Sequence, residues 1–151
     1  MSGAPMPRRL DRSEMDAAAR VHRQAFDGAM PWLAGRHTPA EDRAFFLDRV
    51  FPVAEVWGVF DGTSLAGIVA FQSGWIDQLY VLPDLQHRGI GRALLGVAQT
   101  VYSPLQLWTF QRNRRARGFY EARGFLPVEE SNGASNEERE PDVLYRWERG
   151  Q

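Results

Sequence analysis

The order of hydrophobic patterns along the chain predicts an α+β fold, a mixed sheet with helices on both faces. Three observations carry the prediction. Strand-like runs at 53–60, 65–71 and 75–81 follow one another across short turns, as in a meander. Beyond residue 81 the pattern alternates: helix at 92–101, strand at 105–110, helix at 113–122, then strand runs at 125–129 and 143–147. A chain of 151 residues with 44% hydrophobic content suits one domain, 1–151, with a core of its own, and no internal repeat is legible.

The elements follow in order. Residues 1–7 are rich in Pro, Gly and Ser and are expected to be flexible. Residues 8–10 read as a short first strand. Ser13 with Asp16 reads as a capping box in which Asp replaces the usual Glu. Met15, Ala18, Ala19, Val21, His22 and Phe26 then give an apolar helical face to about Asp27. Residues 28–35 form an aromatic-bearing loop. Thr38-Pro39-Ala40-Glu41 is a stronger helix start: Thr caps, Pro takes the first helical position and Glu reaches back. Asp61-Gly62 reads as the turn between the first two meander strands. Gly124 stands where a helix ending near Ala122 needs a left-handed closing residue.

Charge and composition exclude several function classes. Formal net charge is -1, so no global basic field recruits nucleic acid or a membrane surface. Cysteine is absent, which rules out disulfides, thiolate zinc sites and a cysteine nucleophile. His22, His37 and His87 lie far apart without ligand spacing, so no metal is expected. No apolar run approaches the roughly 20 residues of a membrane span. The arginines near the N-terminus have no apolar stretch behind them, so a cytoplasmic protein is expected.

One segment carries chemistry by itself. Gln86-His87-Arg88-Gly89-Ile90-Gly91 follows the apolar run 75–81 and opens the run Ala93-Leu94-Leu95-Gly96-Val97-Ala98. A helix start has free N–H groups and a positive dipole end, and glycines let an anion approach the backbone. A phosphate-bearing cofactor follows, unless the glycines only turn a strand into a helix. Arg88 and Arg92 add positive charge there, or belong to a solvated helix start. A dinucleotide fingerprint fits worse because the third glycine is missing, and a Walker loop needs Gly-Lys-Ser/Thr.

Gln86, Gly89 and Gly91, with Pro83 upstream, resemble the pyrophosphate signature of the GNAT family of N-acetyltransferases. A second block, Asn113 to Phe125, resembles the family's Asn, Ala, Phe-Tyr, Gly-Phe pattern through Asn113, Ala116, Phe119-Tyr120 and Gly124-Phe125. The resemblance covers nearly the whole chain and is weakest over the first fifty residues. It implies a mostly antiparallel sheet of six to seven strands and acetyl-CoA (coenzyme A) as cofactor. It also implies transfer of an acetyl group to a primary amine of a small molecule or peptide, by direct attack in a ternary complex. The alternative is a binding module that holds acyl-CoA without turnover. A homodimer is among the assemblies the resemblance admits.

The resemblance also assigns residues. The backbone of Leu79, Tyr80 and Val81 pairs with the pantetheine arm beside a bulge, while their side chains read as core. Gln86, His87, Arg88, Gly89, Ile90, Gly91 and Arg92 hold the diphosphate. Asn113 contacts the arm, although Asn is also a good N-cap. Tyr120 touches the cofactor and protonates the departing thiolate, or is an aromatic core residue beside Phe119. The general base is Asp77, on the face of Leu79, with Glu55 second; Trp75 stands where the family's familiar glutamate aligns. Trp32, His37, Glu137 and Glu138 flank the acceptor, although an acidic loop is more often simply solvated.

Overall fold

A computed structural model describes residues 4–151; residues 1–3, part of the segment expected to be flexible, lie outside the described residues. The chain divides into two compact units, residues 1–72 with 76–101, and 73–75 with 102–151. Its strands follow the order β1-β2-β3-β4-β5-β7-β6 in a seven-stranded sheet, in agreement with the predicted fold class.

The first unit is built on a meander. β1 (Arg8–Arg9) pairs antiparallel with β2 (Glu55–Asp61), and β2 pairs antiparallel with β3 (Ser64–Gln72). The turn between β2 and β3 is Gly62-Thr63 rather than Asp61-Gly62, because Gly62 takes the left-handed φ of 63°. β4 is Trp75–Val81, as expected. β3 is buried without interruption from Leu65 to Phe71, which fits a strand covered on both faces. On one face Ile68 and Ala70 join Met15, Ala18, Ala19 and Val21 of α1 (Met15–Ala29) in a core cluster. On the other face runs α3 (Ile90–Val101). A methyl group on Gly67 would stand 2.9 Å from Ile90 Cγ2 and 3.1 Å from Leu94 Cδ1, so only glycine permits this helix–strand approach.

Two helix starts show how local chemistry sets boundaries. The first capping box is Asp11 with Glu14, not Ser13 with Asp16. The Asp11 carboxylate accepts from the Ser13 amide at 2.9 Å, and Glu14 accepts from the Asp11 amide at 3.0 Å. A 3-10 turn over Arg12–Glu14 therefore precedes α1. Asp11 has the extended backbone of a cap, φ -99° and ψ 178°, whereas Ser13 lies inside the turn, so Asp11 is the capping residue. α2 (Pro39–Phe45) starts as expected, with the Thr38 hydroxyl accepting from Glu41 at 3.1 Å and Glu41 accepting from the Thr38 amide at 2.8 Å. It then widens into a π turn, Phe46–Val50.

In the second unit β5 (Leu105–Phe110) pairs antiparallel with β7 (Asp142–Trp147), and β7 pairs antiparallel with the edge strand β6 (Leu126–Ser131). Trp75, which falls in this unit, pairs parallel with Gln106. α4 (Arg114–Glu121) is closed by a wrap in which Phe125 donates to the Tyr120 carbonyl at 3.1 Å and Gly124 to Glu121 at 3.3 Å. Gly124 takes φ 90° to make that closure.

Candidate active site

In the first unit a 3-10 turn, Pro83–Leu85, leads from β4 into the glycine loop. Gln86 is extended, and its side-chain amide donates to the Val81 carbonyl at 3.2 Å, tying the loop back to the strand end. His87 and Gly89 both take left-handed φ, 67° and 82°. Left-handed residues in a turn of this kind are what backbone anion nests are built from. Ile90 opens α3, and Ala93 makes the first bond of the helix, donating to Gly89 at 3.0 Å. Among the described residues no carbonyl accepts from the amides of Gly89, Ile90, Gly91 or Arg92. A Cβ built on Gly89 would meet only Pro5 Cγ among the described residues, at 3.9 Å, an ordinary van der Waals contact. The chemistry of this donor set, backbone N–H groups at a helix start, suits an anion. Arg88 and Arg92 are exposed beside it, and Arg88 borders a cavity of about 830 Å³ walled by Pro5, Arg8, Phe60 and Thr63.

β4 carries an irregularity that the sequence does not reveal. In an unbroken hairpin turning at residues 73 and 74, Ala66 would face Val81. Instead the Leu82 amide donates to the Ala66 carbonyl at 2.9 Å, so β4 holds one extra residue. The side chains agree. Asp77 and Tyr80, three apart, would point to opposite faces of a regular strand. Yet Asp77 accepts from Gln72 at 2.7 Å, in phase with Ala70 and Ile68, and Tyr80 packs on the same core cluster. The extra residue therefore falls between Asp77 and Leu82, where a bulge frees backbone groups from the ladder. Leu79, Tyr80 and Val81 are half-buried rather than core, since the bulge turns this segment partly outward. Asp77 therefore shares the α1 face with Tyr80, three residues on. Crowding by the protein pushes its carboxyl above the usual aspartate range, against the opposing pull of Gln72.

Trp32 lies on a 3-10 turn, Pro31–Leu33, with 43% of its surface exposed. His37 precedes the α2 cap, its Nδ1 3.9 Å from Glu41. Behind both, α1 and α2 are joined by a buried ion pair. Arg23 grips Asp42 with two bonds of 2.8 Å and reaches Asp27 at 3.1 Å. Burial pushes the Asp42 carboxyl up, but the Arg23 guanidinium outweighs it and holds the group below its ordinary range.

In the second unit Asn113 caps α4, its side-chain oxygen accepting from Ala116 at 3.2 Å. Tyr120 lies on the same helix and is only 8% exposed, with Phe119, Phe125 and Tyr145 at 5.3, 5.5 and 6.3 Å between ring centres. Glu137 and Glu138 lie on the loop between β6 and β7. A group not anticipated from the sequence stands beside Tyr120. The Tyr145 hydroxyl donates to Glu121 and accepts from Arg117 Nε at 2.9 Å, and burial raises its pKa, with the Glu121 bond acting in the same direction. Arg117 and Glu121 lie at helical spacing, the one signal that places both over a single partner.

Among the described residues no helix is long and apolar enough to cross a membrane, and no His, Cys, Asp and Glu cluster is arranged to hold a metal ion.

Sheet order and glycine loop together define an acetyltransferase class of α+β protein. A family model described as an acetyltransferase (GNAT) domain matches residues 48–127, and the chain belongs to that family of enzymes, whose acyl donor is acetyl-CoA. The chain is 27% identical to the peptidyl-lysine N-acetyltransferase YiaC of Escherichia coli K12, across 82% of its own length and 85% of that protein's. It is 28% identical to the peptidyl-lysine N-acetyltransferase YjaB of Salmonella typhimurium LT2, across 78% and 81%. The fold is shared with the PaiA N-acetyltransferase of Thermoplasma acidophilum in complex with coenzyme A, at a TM-score of 0.76, 17% identity and coverage of 97% and 99%.

Proposed function

We propose that the chain transfers an acetyl group from acetyl-CoA to a primary amine, with a lysine side chain of a peptide as the acceptor class. The observation that carries this reading is the helix start at Gly89 to Arg92, whose amides donate to no carbonyl among the described residues. Two relatives named as peptidyl-lysine N-acetyltransferases support the acceptor class.

When bound, acetyl-CoA supplies the acetyl group as a reactive thioester. The amides of Gly89 to Arg92 and the arginines at 88 and 92 hold its diphosphate. Gln86 keeps the loop closed on Val81. The backbone of Leu79, Tyr80 and Val81, freed by the bulge, pairs with the arm and polarises the carbonyl. Asn113 offers the arm its side-chain amide. Asp77, with its raised pKa, takes the proton of the incoming amine, and Tyr120 gives a proton to the departing sulfur. Trp32 and His37 wall the acceptor, and Glu137 and Glu138 attract its charge. The chain has no cysteine to carry an acyl group, so the amine attacks directly.

The test is turnover of a single-lysine heptapeptide with acetyl-CoA, followed by thiol release and by mass spectrometry of the peptide. The reading expects acetylation at Nε of the lysine. Tight acetyl-CoA binding with no transfer to any peptide or small amine would instead favour a binding module.

A further inference from the structure

His22 is a polar side chain set into an aromatic enclosure on the α1 face of β4. Phe26, one turn later on α1, stands 5.8 Å from its ring; Phe46, placed by the π turn after α2, stands 5.5 Å away; Tyr80, at the β4 bulge, meets it edge-on at 4.7 Å and 84°. Nδ1 is buried with no hydrogen-bond partner among the described residues, although the residue as a whole is only half-buried. A phenylalanine or leucine fills such a cage without stranding a nitrogen. An unsatisfied buried polar group calls for an explanation.

We propose that His22 is a specificity-determining residue for the acceptor: Nε2, the nitrogen not sealed into the cage, accepts a hydrogen bond from the acceptor's primary amine on the α1 face of β4. This rests on the acetyltransferase reading above and names a residue for its acceptor site. The chemistry suits an amine that must attack as the free base. Burial, followed by the nearby Arg23 charge, lowers the His22 pKa to about 4, so the ring is neutral at physiological pH. A neutral acceptor aligns an N–H of the free amine without trapping it as ammonium, as a carboxylate would. The charges around it are Arg23, Asp42, Asp27 and His37. Arg23 is bonded to both Asp42 and Asp27, so two carboxylates share one guanidinium beside the cage. For Nε2 to accept, the proton must sit on Nδ1, directed at the surrounding rings, where an N–H can meet a π face.

The experiment is nitrogen-15 NMR of the full chain labelled at histidine, with the His22 signals assigned by their loss in His22→Phe. The expected tautomer carries its proton on Nδ1, and n-butylamine shifts the Nε2 resonance. An Nε2–H tautomer, or a ring indifferent to butylamine, overturns the proposal. Kinetics supply the second arm. His22→Phe raises KM for a single-lysine heptapeptide at least tenfold with kcat changed less than threefold and acetyl-CoA affinity unchanged. His22→Gln, which keeps an acceptor atom, recovers most of that loss. Equal KM in wild type and His22→Phe overturns the proposal. A butylamine shift without any peptide turnover supports His22 and sinks the lysine-peptide reading alone.

Discussion

Gly89 takes a φ of 82°, and among the described residues an added Cβ would touch only Pro5 Cγ, at 3.9 Å. An L-residue at that φ costs roughly 1–2 kcal/mol, and glutamate adds a negative charge where the diphosphate is proposed to sit. Gly89→Ala is therefore expected to weaken acetyl-CoA binding by a few-fold, and Gly89→Glu by more than tenfold, read by isothermal titration. Tyr120 is a separate test of chemistry. Tyr120→Phe keeps the ring among Phe119, Phe125 and Tyr145 and removes only the hydroxyl. General acid catalysis contributes about 10²–10⁴-fold, so kcat should fall by about that factor while thermal stability moves little. An unchanged kcat would make Tyr120 a packing residue. Asp77 has its pKa raised, so protonation removes the proposed base at a pH above the ordinary aspartate range. The acid limb of kcat/KM should lie above that range and disappear in Asp77→Asn; a pH profile with the same limb in both proteins excludes Asp77. The loop's left-handed turn at Gly89 was legible from residue types alone, because glycine takes a positive φ at no steric cost, whereas the same conformation at His87 was not. His22 was not: on a helical wheel it joins the apolar face, and only the missing partner of Nδ1 separates it from core.

At the scale of elements, the sequence marks what depends on neighbours in the chain. β4 and β5 begin and end where pattern and turn residues place them, and Thr38 with Glu41 forms the expected box. What pattern misses depends on tertiary pairing. The bulge in β4 is invisible because an extra residue shows only against a partner strand. The π turn at 46–50 is invisible because widening a helix needs no special residue. The approach of α3 to β3 hangs on Gly67, whose added methyl would crowd Ile90, Leu94 and the Tyr80 carbonyl. Overpacking of this kind costs about 1–3 kcal/mol. Gly67→Ala is expected to lower stability by that amount in urea unfolding. It should also weaken acetyl-CoA binding, since α3 carries the loop. A loss of stability with fully retained affinity would show that the loop does not depend on this packing.

Over the whole molecule, the α1–α2 face holds a buried neutral histidine next to a buried ion pair, and both make folding sensitive to acid. The folded His22 pKa of about 4 lies below its ordinary 6.5, so the unfolded chain binds the proton more readily. Stability from this group is full above the unfolded value and is lost as pH falls toward 4. The shift corresponds to about 3 kcal/mol at most. Asp42, whose pKa is lowered by Arg23, adds a loss at still lower pH. The expected result is that wild type loses stability between pH 6.5 and 4.5 in denaturant titrations, and that His22→Phe flattens the slope in that window. Parallel slopes would mean that His22 is solvated and already titrates freely.

The central claim is that the amides of residues 89–92 seat the cofactor's diphosphate. Calorimetric titration of acetyl-CoA into the wild type and into Gly89→Glu tests it most directly. A saturable one-to-one isotherm in the wild type that weakens more than tenfold in the variant, with both proteins equally folded, is the predicted result. Equal affinity in the two proteins would contradict it.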